Sequence, residues 1–111
     1  MAEARLAEYV VRIASAHPRS AVILFGSRAR GGYLPYSDFD LAVVLERVGD
    51  PLETIRSLRA LKPRGLPLDL VVLEPKDLDD PLTLKMLERC RILYDGLGVG
   101  KKFHKMRGRT L

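Results

Sequence analysis

Three short apolar runs, residues 21–25, 39–45 and 68–73, constrain the fold of this chain more than any other feature. The first is continuous and rich in strand formers, which suits a strand buried on both faces. The other two are broken only by Asp40 and Asp69 and read as further strands. Helical patterns lie around them. Residues 3–16 place Leu6, Tyr9, Val10 and Ile13 at helical spacing. His17-Pro18 stops that helix, because the residue before proline is driven out of the α region. Asp50-Pro51-Leu52-Glu53 combines a cap, a proline suited to the first helical position and the glutamate of a capping box. Leu52, Ile55, Leu58 and Leu61 continue it as an apolar stripe that ends at Lys62-Pro63. Asp80-Pro81 opens another helix by the same logic, with Leu82, Met86 and Arg89 along one side. Residues 91–94 read as a short extended piece and Asp95-Gly96 as a turn. This order predicts one α/β (α+β) domain with a small sheet.

At 111 residues the chain has the length of a single domain. Residues 1–97 are expected to form it, and residues 98–111 a glycine-containing linker and a basic tail. The tail's Lys101, Lys102, Lys105, Arg107 and Arg109, with no acid among them, account for the whole net charge of +5. The alkaline character therefore belongs to the tail and not to the domain. A lone cysteine, Cys90, excludes an internal disulfide or a cysteine metal cluster and fits a reducing cytoplasm. No apolar run approaches the roughly 20 residues of a membrane helix, and the N-terminus lacks a signal core. A cytoplasmic protein with no membrane partner is expected. Asn, Gln and Trp are absent, and avoidance of the thermolabile amides points to a thermophilic source.

The chemistry begins where the first run ends. Gly26-Ser27 lets the backbone turn sharply and lets a ligand approach, and the start of a short helix over Arg28-Ala29-Arg30 favours phosphate. In Ser37-Asp38-Phe39-Asp40-Leu41, strand periodicity points Asp38 and Asp40 to one side. Two carboxylates so placed repel unless a cation lies between them, and carboxylate oxygens are what Mg²⁺ prefers. Asp69 stands in an otherwise apolar strand, where an unpaired carboxylate is costly. If strand 68–73 lies beside strand 39–45, Asp69 joins the other two around metal.

Gly26-Ser27, ten residues, then Asp38-x-Asp40 resembles the signature of the polymerase-β-type nucleotidyltransferase superfamily. Within it, Gly-Ser-Arg-Ala-Arg-Gly followed by Ser-Asp-Phe-Asp-Leu is similar to the minimal nucleotidyltransferases, or MNT domains. The resemblance spans residues 5–95 and implies a polymerase-β-like fold with a small mixed sheet and helices packed on one side. It implies ATP as substrate, two Mg²⁺ ions and release of pyrophosphate. Asp38 and Asp40 match the family's metal-binding carboxylates, and Asp69 matches the third by context. Gly26 and Ser27 would hold the triphosphate, with Arg30 either meeting phosphate or bracing the loop. MNT proteins commonly serve as antitoxins of helical HEPN ribonuclease toxins. The resemblance thus implies AMP transfer to a hydroxyl of such a partner, in a hetero-oligomer or alongside a homodimer. Two alternatives remain: an antitoxin that binds nucleotide without turnover, and a transferase of small-molecule or RNA hydroxyls.

Other residues are expected to be structural. Arg28 should be solvated, and Arg12 with His17 only resembles the HEPN Arg-x4-His spacing. Cys90 and the tyrosines at 9, 33, 36 and 94 suit packing or loops, and His104 lacks a companion ligand. The tail is expected to be a solubilising end or a partner contact in preference to an RNA-binding arm.

Overall fold

A computed structural model describes residues 2–31, 37–101 and 103. Tyr33, Tyr36, His104 and the tail beyond residue 103 lie outside them. In chain order the elements are α1 (Ala2–Ala16), β1 (Ser20–Phe25), α2 (Ser27–Arg30), β2 (Phe39–Leu45) and α3 (Pro51–Arg59). Then come β3 (Leu68–Leu73), a 3₁₀ turn (Pro75–Asp79), α4 (Pro81–Met86) and β4 (Arg91–Asp95). The four strands make one mixed sheet in the order β3-β2-β1-β4. β1 is antiparallel to both neighbours, and β2 and β3 are parallel. Parallel neighbours need a crossover, which α3 supplies.

The central strands read as near-continuous apolar runs because both of their faces are covered. The long helices α1 and α3 share one face, where Leu6, Tyr9, Ile13 and Leu58 pack on Val22, Leu24, Leu41 and Val43. The opposite face is covered more thinly. There Leu78, Leu87, Cys90 and Val99 pack on Ala21, Ile23, Ala42 and Val44. The Tyr9 hydroxyl, buried between α1 and α3, donates to the Leu58 carbonyl at 2.8 Å. Burial, opposed by the Arg59 charge, pushes the Tyr9 hydroxyl up to about 12.

Local chemistry explains the helix starts. Asp50 accepts from the N–H of Leu52 and Glu53, with Pro51 in the first turn. Asp80 accepts from Thr83 N–H, with Pro81 in the same place. Glu53, expected to close a capping box, pairs instead with Arg56 at 3.2 Å. Two apolar stripes are shorter than their spacing suggests. Leu52 and Leu82 sit at the first turns of α3 and α4 and are 72% and 78% exposed. α4 stops at Met86, and Arg89 leaves it in the left-handed region with φ 59°. Beyond β4, the Asp95 carboxylate accepts from the N–H groups of Gly98, Val99 and Gly100, which fastens that turn and buries Val99. No helix among the described residues is long and apolar enough to cross a membrane.

Candidate active site

β1 ends at Phe25, whose register partner on β2 is Asp40. Gly26 follows with φ 73° and ψ −157°, a conformation essentially reserved for glycine. Its carbonyl accepts from the N–H groups of Ala29 and Arg30 as α2 begins. A Cβ added to Gly26 would overlap Asp40 Oδ2 and stand 3.0 Å from Asp40 Cγ. Glycine is needed there for the backbone and for the carboxylate beside it. The bare Gly26-Ser27 turn thus lies against Asp40, where a phosphate and a metal-bound carboxylate would meet. α2 has only four residues, so the helix dipole expected from sequence is small and the turn itself is what an anion would meet.

Asp40 and Asp69 are register partners on the parallel strands β2 and β3. Their side chains leave the same face of the sheet from backbones roughly 5 Å apart, the ordinary strand spacing. Asp38 lies one residue before β2 and is exposed, as is Asp69, whereas Asp40 is half-buried. Burial raises the Asp40 pKa, the negative charges of Asp69 and Asp38 raise it further, and Arg30 opposes them. Among the described residues, no three acidic or imidazole or thiol groups already form a metal-binding cluster. Mutually repelling carboxylates draw together around a cation, and an all-oxygen donor set suits Mg²⁺. The chemistry of these residues fits a divalent ion bound at Asp40 and shared with Asp38 and Asp69.

Of the two arginines of α2, Arg28 is the one that departs from its expected part. Arg28, read as solvated, is 8% exposed. Its Nε and Nη2 donate to the Ser37 carbonyl at 3.0 and 2.8 Å, and its guanidinium lies 4.2 Å from the centroid of the Phe39 ring. Arg30 is exposed, and its charge acts on Asp40. On so short a helix, residues two apart point to different sides, so one arginine braces and the other faces the carboxylates. Arg12 and His17 have no joint role: Arg12 pairs with Glu8 and reaches the Leu61 carbonyl, tying α1 to the end of α3. A cleft of about 850 Å³ lined by His17, Arg19, Glu46 and Thr54 lies at the other end of the sheet. Its Arg19 is already committed to Glu46 at 2.8 Å, and the register separates it from Asp40 by the length of β2.

A glycine turn after the first strand, beside carboxylates on the next two, is the arrangement of a nucleotidyltransferase. The chain belongs to the nucleotidyltransferase domain family, which matches residues 4–94. A Methanocaldococcus jannaschii protein, whose name proposes a protein adenylyltransferase, is 33% identical over 68% of this chain. The chain spans 58% of that relative's length. A crystal structure of a proposed nucleotidyltransferase from Sulfolobus solfataricus is similar at a TM-score of 0.65 and 26% identity, covering 85% of this chain and 80% of that one. A crystal structure of a toxin–antitoxin with AMP-PNP is similar at 0.55, with 16% identity, over 93% of this chain and 90% of that one. At that identity the likeness shows the fold.

Proposed function

We propose that this nucleotidyltransferase moves AMP from Mg²⁺-bound ATP to a hydroxyl of a partner protein, and that it acts as the antitoxin of a helical HEPN ribonuclease. The observation that carries the chemistry is the register pairing of Asp40 with Asp69 beside the Gly26 turn. The partner protein is supported by the named activity of the archaeal relative and by the MNT-like motif.

In this reading Gly26 and Ser27 would hold the triphosphate, and Arg30 would add a positive charge near Asp40. Asp38 and Asp40 would hold two Mg²⁺ ions, and Asp69 would hold the one nearer the acceptor. Bound Mg²⁺ supplies neutralisation of the charge on the triphosphate and on the departing pyrophosphate. The acceptor oxygen attacks the α-phosphorus, the bond to the bridging oxygen of pyrophosphate breaks, and the Asp69 carboxylate takes the hydroxyl proton. Catalysis is then mainly alignment and charge stabilisation.

The test is incubation with Mg²⁺ and α-labelled ATP, with and without the product of a neighbouring gene for a helical protein, followed by mass spectrometry. AMP on a partner hydroxyl, abolished by Asp38→Asn or Asp40→Asn, is the expected result. Tight complex formation without transfer or pyrophosphate release would replace this reading with a binding antitoxin.

A further inference from the structure

Asp40 and Asp69 are held by the ladder between β2 and β3, but Asp38 lies outside it. Its placement depends on its two neighbours, and one guanidinium holds both. Two N–H groups of Arg28 converge on the Ser37 carbonyl oxygen. That oxygen belongs to the planar peptide unit that also contains the nitrogen and Cα of Asp38. Fixing the oxygen therefore fixes the plane from which the Asp38 side chain departs. On the other side of Asp38, the Arg28 guanidinium rests over the Phe39 ring. Phe39 is itself anchored, 2% exposed, with its N–H donating to the Pro67 carbonyl at 3.0 Å.

We propose that Arg28 is a positioning residue that sets Asp38 against Asp40 for metal binding. This rests on the reading of Asp38, Asp40 and Asp69 as the metal carboxylates. Burying a guanidinium is tolerable only where its donors are satisfied, and here two of its hydrogen bonds and its stacking meet on the residues flanking one carboxylate. Lysine keeps the charge but has neither the planar fork nor the stacking face, so it is not a conservative replacement at this position. The contact joins α2 to the two residues that flank Asp38 at the start of β2. It gives the Gly26 turn and the carboxylates one common brace.

The experiment measures Mn²⁺ binding to the full chain by electron paramagnetic resonance, without nucleotide, for wild type and variants. The variants are Arg28→Lys, Phe39→Leu, Asp38→Asn and the double variant Arg28→Lys/Asp38→Asn, each checked for folding by circular dichroism. Arg28→Lys is expected to weaken Mn²⁺ binding about 10-fold, the lower end for a residue supporting a metal ligand. In the Asp38→Asn background it is expected to cost nothing more, because a residue that acts through Asp38 loses its effect when the carboxylate is gone. Phe39→Leu removes the stacking surface, keeps the apolar core, and should weaken binding in the same direction. It stands in if Arg28→Lys does not fold. Equal losses in both backgrounds, or a folded Arg28→Lys or Phe39→Leu that binds Mn²⁺ like wild type, would overturn the positioning role. If Asp38→Asn itself leaves binding unchanged, the three-carboxylate reading fails instead, and the inference falls with it.

Discussion

Gly26 and Asp40 are fitted to one another: the Asp40 carboxylate fills the space that any side chain at position 26 would need. Asp40 is also the residue paired with the end of β1. The turn that would receive phosphate and the carboxylate that would hold metal are therefore one packed unit.

Gly26→Ala is expected to destabilise the chain by about 1–3 kcal/mol, the cost of holding a non-glycine residue in this region. The overlap with Asp40 adds to that. Denaturant unfolding separates the two contributions. In an Asp40→Ala background the alanine no longer meets the carboxylate, so the penalty should shrink to the backbone part alone. An undiminished penalty would show that the conformation of Gly26, and not its fit to Asp40, is what selects glycine.

Asp40→Asn should separate stability from function. Asparagine keeps the size and removes one of three charges that repel each other at this end of the sheet. In the absence of metal the variant is expected to unfold no earlier than wild type and to gain on the order of 0.5 kcal/mol, the scale of a screened charge pair. Mg²⁺ should raise the thermal midpoint of wild type and leave the variant unchanged. Transfer should be lost. Thermal unfolding with and without Mg²⁺ checks both halves.

How much of this was readable from sequence depends on where each residue finds its partner. β1 was legible because both of its faces are covered, so every residue after Ser20 in it is apolar. The starts of α3 and α4 were legible because Asp50 and Asp80 cap their own neighbours. Strand adjacency was the condition set for Asp69 to join Asp40, and the register satisfies it. Leu52 and Leu82 misled because helical spacing says which residues share a side, and not whether the sheet extends beneath them. Arg28 was illegible for another reason. Its partners are a backbone carbonyl and an aromatic ring at the start of the next strand, and neither leaves a mark beside Arg28 in the sequence. The nearest signal was Phe39 itself, an aromatic residue set between two aspartates.

Arg89 offers a stabilising substitution away from the carboxylates. It is exposed, and its φ of 59° makes it the one non-glycine residue with positive φ among those described. A side chain in that region costs roughly 1–2 kcal/mol, part of which glycine returns as greater freedom in the unfolded chain. Arg89→Gly is therefore expected to raise stability by about 0.5–1 kcal/mol in chemical denaturation. A loss of stability would mean that the arginine side chain contributes more than its backbone costs.

Asp95 governs the turn that closes the thinly covered face, and it does so with a definite pH dependence. Burial alone would raise its pKa, but the N–H groups of Gly100, Val99, Gly98 and Leu97 outweigh it and the net shift is downward. A carboxyl with a lowered folded pKa contributes stability that is present above its unfolded value, about 3.9. That contribution is lost as pH falls through the lower folded value. Asp95→Ala should cost about 1.5–3 kcal/mol at neutral pH, the range for hydrogen bonds to a charged acceptor. Asp95→Asn, which keeps one acceptor oxygen, should cost less. Urea unfolding of wild type and Asp95→Ala between pH 7 and pH 2.5 tests the linkage. The two curves should stand apart at neutral pH and converge only below about pH 4, as the wild-type carboxyl takes up its proton. A gap that is constant across this range would assign the role of Asp95 to its shape, and the fastening of Val99 would owe nothing to its charge.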